Sequence, residues 1–394
     1  MMHDIVRIFH SATIIVACVG CLSSSIYYLI CLRSARAFLR RQEADGIVRP
    51  TKALPPVSIL KPLKGSDPDI YESFRSHCLQ NYPEYEIIFG VSDSDDPAVA
   101  SVRQLQREFP SHTIRLVVSA NKLGPNVKVS NLEQMLPAAH FEHLIVNDSD
   151  IRVEPDYLRR IVAPLADERV GMVTCLYVGV AANTLGSQLE ALGISTDFCP
   201  GVLVARQLEG GLRFGLGSTL AFRRSDLAQI GGFRAIVDFL ADDYEIGRRI
   251  ADLGLQVQLS DVVVETRLPA YDLRGFWAHQ LRWARGVRDA RKGGYIGLIS
   301  TYGLMWALLA LIAAGAAAWS WAILGVMLLL RSIVALVIGR SVLRDARLTK
   351  NLWLLPIRDF IAVAVWVASF AGHTVTWRGD RFELKQGRLT RIPS

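Results

Sequence analysis

The chain of 394 residues is 51% apolar and only 21% charged, with mean hydropathy +0.26 and a formal charge of +7. That balance excludes a disordered or collagen-like chain and does not suit a purely water-soluble globule. The basic residues gather beside apolar stretches and not on one face of a folded domain, so the charge points to a membrane surface and away from nucleic acid.

Ile8–Leu32 carries no charge. As a helix it is long enough to cross about 30 Å of hydrocarbon. A cleaved secretory signal is the rival reading; it would have a shorter apolar core and a small-residue cleavage site. The flank that follows holds Arg33, Arg36, Arg40, Arg41 and Arg49. The positive-inside bias then puts the N-terminus outside and the next domain in the cytoplasm. The expected division is an anchor over 1–33, a cytoplasmic domain over 34–290, a membrane region of two or three spans over 291–376, and a basic tail over 377–394.

Between the apolar ends, strand and helix signals alternate. Strands are expected at Val57–Leu60, Glu86–Val91, Ile114–Val118 and His143–Val146. Helices are expected at Ile70–Leu79, Ala98–Phe109, Val127–Leu136 and Pro155–Leu165. Strands alternating with helices of this length imply right-handed β-α-β units, hence an α/β fold on a mostly parallel sheet. Ligands of such sheets bind beyond the carboxyl ends of the strands. No GxGxxG follows the first strand and no GxxxxGK[ST] occurs, which disfavours a dinucleotide oxidoreductase and a P-loop NTPase.

Those strand ends carry carboxylates instead. Asp148 and Asp150, in Asn147-Asp-Ser-Asp150, can share a hard cation, Mg²⁺ or Mn²⁺, that also holds phosphate oxygens. A solvated acidic turn is the plain alternative. Asp93 ends the preceding strand, while Asp96 before Pro97 reads as a helix start. Lys61 and Lys64 flank the first strand end, and Lys128 and Asn131 lie on a predicted helix; each is either a phosphate contact or an ordinary surface group. Asp242-Asp243 precedes another helix, as a dipole-favoured start or as a second carboxylate site. A partly desolvated carboxylate beside another has a raised pKa and suits a general base. The segment Trp277–Arg288, with Arg282 and Trp283, equally suits an interfacial helix.

The second apolar block has no charge from Gly293 to Leu330 and resumes after Arg331. One helix of that length would reach about 55 Å, so a hairpin near 302–316 and 321–339 is expected. Arg331 is then read as snorkelling. A segment near 357–376 is either a further span or a re-entrant or interfacial piece with Pro356, Arg358 and Asp359 at the lipid boundary. Six scattered cysteines, with Cys18 and Cys21 inside the first span, read as apolar packing in a reducing compartment.

Taken in order, Asp93, Asp148-x-Asp150, Asp243 and Arg282-Trp283 resemble the D, DxD, D, (Q/R)xxRW signature of membrane-bound GT-A glycosyltransferases. Ser58–Gly65, Asp95–Ala98, Lys128–Leu132, Asp148–Val153 and Ala241–Tyr244 resemble the ceramide glucosyltransferase family and its bacterial relatives that glycosylate hopanoids. The resemblance implies a Rossmann-like GT-A catalytic domain flanked by transmembrane helices, in a multi-pass protein of the bacterial inner membrane. It implies inverting transfer of one hexose from a UDP-sugar (UDP-glucose or UDP-N-acetylglucosamine) to a hydroxyl of a membrane lipid, ceramide or hopanoid. Asp93 would bind uridine, Asp148 and Asp150 would hold the metal, and Asp243 would be the base. Lys64, Lys128, Arg282 and Trp283 would contact the diphosphate or acceptor. Two departures are present: His279 occupies the (Q/R) position, and Ser195–Pro200 lacks the His-Pro of the animal enzymes. A processive polysaccharide synthase and a non-catalytic membrane scaffold are the other readings.

Overall fold

The computed structural model describes residues 2–45, 54–377 and 379–392; Arg49 and Arg378 of the basic flanks lie outside them. Eight strands form one sheet: β1 (Val57–Pro62), β2 (Tyr85–Val91), β3 (Thr113–Val118), β4 (His143–Val146), β5 (Ile151–Arg152), β6 (Val170–Val180), β7 (Leu220–Arg223) and β8 (Gln256–Arg267). Their order is β3-β2-β1-β4-β7-β6-β8-β5. The β1, β2, β3 and β4 neighbours pair in parallel, as do β6 and β8, whereas β7 and β5 run antiparallel to their partners. The sheet is therefore mostly parallel, as the alternating pattern implied. β1 is buried along its whole length, the burial expected of a strand covered on both faces.

The first half of this sheet matches the sequence reading to within two residues at most strand ends. β5, β6, β7 and β8 were not foreseen. β6 and β8 are long, and β8 alternates buried and half-buried residues, the mark of a strand with one wet face.

The N-terminal helix runs from Met2 to Asp45, well past the expected span. Its far end rests on the α/β domain, where Gln42 Nε2 donates to Asp261 O at 2.6 Å and Arg206 lies over the Phe38 ring. Among the described residues three helices are long and apolar enough to cross a membrane: Ile5–Glu43, Ala318–Val342 and Leu348–Ser369. A bent pair, Lys292–Thr301 with Gly303–Ala313, makes a fourth candidate, broken by 51°. These helices point to membrane association. The first arm of the expected hairpin is thus a broken segment, and its straight part of 11 residues reaches only about 16 Å.

Arg331 does not snorkel. It is 6% exposed, and its guanidinium bonds Asp359 at 2.7 Å, Asp197 at 2.6 Å and the Thr196 carbonyl at 2.6 Å. Asp197 and Thr196 lie in a π-helical turn (Ile194–Phe198) of the α/β domain, so the bond joins a membrane-candidate helix to that domain. A buried guanidinium needs such partners because desolvating it unpaired costs several kcal/mol. Arg358 extends the network through Asp197 at 3.2 Å and Gln280 at 2.8 Å.

The segment Leu348–Ser369 begins and ends against the same domain. Arg347 donates to Ala181 O at 2.8 Å just before it, and Arg288 donates to the Ser369 carbonyl at its end. The chain then returns as three strands, β9 (Thr374–Trp377), β10 (Asp380–Lys385) and β11 (Arg388–Arg391), so the described part of the basic tail is a folded sheet on the domain surface. All six cysteines are free thiols.

Candidate active site

The strand order turns outward in both directions from β1 and β4, so the loops after these two strands diverge and leave a crevice. Asp148 stands in the loop after β4. One carboxylate oxygen is 2.8 Å from Lys128 Nζ, and the same ammonium reaches Asp242 at 2.9 Å. Lys128 comes from the first turn of helix Val127–Met135, where Asn126 caps by accepting from Val129 N–H at 3.1 Å. Burial alone would lower the Lys128 pKa; the charges of Asp148, Asp242 and Asp243 outweigh it and hold the ammonium well above its ordinary value.

Asp243 lies in the first turn of helix Asp242–Asp252, and its Oδ1 accepts from Tyr244 N–H at 2.8 Å. Burial and the adjacent Asp242 charge push its carboxyl up to about 6, against the opposing pull of Lys128. Asp150 is driven up to about 7 by burial and by Asp148, while Thr266 Oγ1 fixes its Oδ2 by donation. Lys61, on β1, is fully buried and donates to the Asp148 carbonyl at 3.0 Å. It faces no solvent, so it supports the Asp148 loop from beneath instead of meeting phosphate. Burial draws its ammonium down to about 7, against Asp150, Asp148 and Asp67.

Gly217, in the loop before β7, marks the centre of this cluster. A Cβ there would lie 3.0 Å from Asp148 Oδ2, 3.4 Å from Asp243 Oδ2 and 3.8 Å from Lys128 Nζ. Two carboxylates and one ammonium therefore face the same small space. Gly217→Ala is expected to lower turnover at least roughly tenfold, because the carboxylates must shift to admit the methyl, with little change in thermal midpoint. Full activity in that variant would place the reacting atoms elsewhere.

The other expected residues are distributed around this centre. Asp93 is exposed at the end of β2, and its carboxylate accepts from Asp95 N–H at 3.0 Å. Lys64 lies half-buried on the neighbouring loop after β1. The two loops are tied by Asp96, which accepts from Gly65 N–H at 2.9 Å and, as expected of a helix start, from Ala98 N–H at 2.9 Å. Asn131 braces both, taking the Ser92 hydroxyl at 2.8 Å and donating to Leu63 O at 3.5 Å.

Arg282 and Trp283 lie on helix Leu273–Ala290, begun by Asp272, which accepts from Gly275 N–H at 2.6 Å. The Trp283 ring is 6.0 Å from Phe198 and 5.2 Å from His279, and Phe198 is 5.1 Å from Tyr177 on β6. Burial, then the Cys199 thiol and the charges of Asp243, Glu190 and Asp148, keep the Tyr177 phenol well above its ordinary range. A row of aromatic rings thus runs from β6 to helix Leu273–Ala290. His279 stacks on Tyr271 and lies 3.4 Å from buried Glu190, which also accepts from Gln280 at 2.7 Å.

The sequence reading overlooked Gly217, the seat of Lys61 beneath the Asp148 loop, Glu190 and the Asp242–Lys128 bond. Gly215-Leu-Gly-Ser-Thr219 held the one local signal, since closely spaced glycines mark a tight approach.

The residues fit a divalent cation. Among the described residues no cluster of three or more His, Cys, Asp or Glu occurs. Mg²⁺-like ions ask for no more than one or two carboxylates when phosphate oxygens complete the shell. Asp150, half-buried beside Asp148 and raised first by desolvation and then by that charge, is a donor whose negative charge a cation would relieve.

The model of Glycosyl transferase family 21 matches residues 16–390. Ceramide glucosyltransferase 1 of Caenorhabditis elegans is 25% identical over 242 residues, 61% of this chain and 51% of that protein. Ceramide glucosyltransferase of Komagataella phaffii is 33% identical over 125 residues, 30% of this chain and 25% of that protein. The chain's matched part thus spans about half the length of the nematode relatives. A mannosyltransferase of Pyrobaculum calidifontis, PcManGT, solved with GDP-Man and Mn2+, superposes with TM-score 0.50 at 19% identity, over 90% of this chain and 98% of that one. That likeness concerns the fold, which is GT-A. Matched along nearly its whole length, the chain belongs to glycosyl transferase family 21, the family of the ceramide glucosyltransferases.

Proposed function

We propose that this chain is a membrane-bound inverting glycosyltransferase that moves one hexose from a UDP-sugar to a hydroxyl of a membrane lipid of the ceramide or hopanoid class. The observation that carries this reading is the meeting of Asp148, Lys128, Asp242 and Asp243 around Gly217, in the crevice where an α/β sheet holds its ligand. Residues 34–290 act as the catalytic domain, facing the cytoplasm of a bacterial inner membrane.

Asp243 accepts the proton of the acceptor hydroxyl as its oxygen attacks the anomeric carbon from the face opposite the diphosphate. The glycosidic C–O bond forms, the bond to UDP breaks, and UDP leaves with the electron pair. Lys128 neutralises Asp242 and Asp148, which leaves Asp243 the carboxylate whose raised pKa suits a base. Asp93 and Lys64, on the loops joined by Asp96, hold the uridine and its phosphates. Arg282 lies on the diphosphate side and Trp283 lines the acceptor path. Asp148 and Asp150 are the residues that would hold Mg²⁺ or Mn²⁺, which would offset charge on the departing diphosphate. GDP-Man and Mn2+ in the mannosyltransferase of like fold support a nucleotide-sugar and divalent-metal chemistry here.

The acceptor is a lipid because the row of aromatic rings from Tyr177 to Tyr271 ends at helix Leu273–Ala290, which runs beside the apolar segment Leu348–Ser369. Purified chain with Mg²⁺ or Mn²⁺ should release UDP from UDP-glucose or UDP-N-acetylglucosamine only when the lipid is supplied in vesicles, and chelation by EDTA should stop it. Release indifferent to lipid, or undiminished by EDTA, would defeat the reading.

A further inference from the structure

The last strands of the chain lie outside the GT-A sheet, yet they are bonded to the segment that leads into Asp243. The turn between β10 and β11 is Lys385-Gln386-Gly387-Arg388, with φ +51 at Gln386 and +77 at Gly387. Two central residues at positive φ make the tight primed turn that suits the twist of a two-stranded hairpin, and glycine is the residue that adopts it without strain. Leu240 N–H donates to Gly387 O at 2.9 Å, and Leu389 N–H donates to Asp238 O at 2.7 Å. Phe239 and Arg388 face each other as an antiparallel bridge, with the guanidinium 4.9 Å above the Phe239 ring. Asp289, on helix Leu273–Ala290, accepts from Gly387 N–H and fixes the hairpin from behind.

The opposite side of the same segment is held by the helix that bears Lys128. Asn126 N–H donates to Val237 O at 3.0 Å, and its side chain donates to Phe239 O at 2.7 Å. Residues 237–240 are therefore gripped between the cap of the Lys128 helix and the hairpin, directly before Asp242-Asp243. A cleft of about 270 Å³ lies alongside, lined by Phe239, Leu240, Ala241, Gly286, Leu384 and Gly387 among others, and Arg249 lies over the Phe239 ring at 5.6 Å. Among the described residues the three-stranded sheet buries Val375, Phe382, Leu384 and Leu389, a core too small to hold a sheet alone, and Leu240 packs on it.

We propose that the C-terminal hairpin is a positioning element for the transfer step, with Gly387 and Arg388 fixing the 237–240 segment and through it the carboxylate of Asp243. The proposal rests on Asp243 being the base. A base must lie within hydrogen-bond reach of the proton it takes, and a misplacement of about 1 Å costs as much as roughly 100-fold. The hairpin thus acts on turnover and leaves donor binding, which is built from the loops after β1, β2 and β4, undisturbed.

The test compares the full-length chain with Gly387→Val, Arg388→Ala and Arg388→Lys, in the same detergent, with Asp243→Asn as control. Gly387→Val places a branched side chain at positive φ with its Cβ 3.3 Å from the Phe239 ring. It and Arg388→Ala are expected to lower kcat roughly tenfold, with KM and Kd for the UDP-sugar unchanged; the thermal midpoint is expected to fall in Gly387→Val, through strain at positive φ, and to hold in Arg388→Ala. Arg388→Lys, which keeps a cation over Phe239, is expected to recover most of kcat. Amide exchange across residues 238–243 should quicken in the first two variants alone. Undiminished kcat in both, with Asp243→Asn inactive, overturns the hairpin's role and leaves the base standing. A fall in kcat of Arg388→Ala matched by weaker donor binding or a lower midpoint makes the hairpin merely structural and likewise overturns it. An active Asp243→Asn removes the base and this proposal together.

Discussion

Asp243→Asn should lower turnover by roughly 10²- to 10⁴-fold, the usual worth of a positioned base, while UDP-sugar affinity and thermal midpoint stay as they were. The amide keeps the size and the hydrogen bond from Tyr244 N–H but cannot take a proton. The pH profile carries the same assignment. Burial and Asp242 raise the Asp243 carboxyl to about 6, and the active form is the ionised one. The rate should therefore rise with pH through about 6 and fall away below it. Asp242→Asn removes the like charge and frees Lys128 to act on Asp243 and Asp148. Both changes favour the ionised Asp243, so the acid limb should move to lower pH. A limb that stays in place would assign it to another group.

The second large effect is expected at the junction between the apolar helices and the α/β domain. Arg331 meets Asp359, Asp197 and Thr196 O within a buried site, and Asp197 is shared with Arg358. Removing one partner strands the other charge away from water. Arg331→Met should cost roughly 3–5 kcal/mol of stability, read as a lower unfolding midpoint in detergent. The double variant Arg331→Met/Asp359→Leu should regain much of that loss, because Asp197 keeps Arg358 and no unpaired carboxylate faces the introduced thioether. Equal midpoints for the single variant and the parent would show that the network contributes nothing to holding the two parts together.

Much of this was legible in the chain. The strands β1 to β4 and their helices announce themselves by alternation, and the acidic residues at their ends fall where an α/β sheet holds ligands. Spacing and resemblance put Asp148 and Asp243 in one site, and they do face one space at Gly217. β6 and β8 escaped because the β-α-β rhythm breaks there: the helices Leu185–Gly193 and Cys199–Leu208 after β6 lead to the antiparallel β7 and not to a parallel neighbour. The fate of Lys61 was not readable either. A lysine ending an apolar strand looks exposed, but here it is covered by Asp148 and Asp150 from the distant loop after β4, with Asp67 in the loop after its own strand. Arg331 misled for a related reason. Its partners, Asp197 and Asp359, belong to a π-turn of one part and to a segment read as a lipid boundary in the other. The hairpin contacts at 238–240 likewise join residues that are far apart in the chain, and composition showed only a basic tail.

If these carboxylates transfer one sugar to a lipid with inversion, the product itself carries the proof. NMR and mass spectrometry of the glycolipid made by purified full-length chain from an α-linked UDP-sugar read the linkage and the number of sugars at once. A single β-linked hexose on the lipid, formed in equal amount with UDP, is the expected result. An α-linked product, a polymer of several sugars, or UDP set free with the lipid unchanged would contradict it.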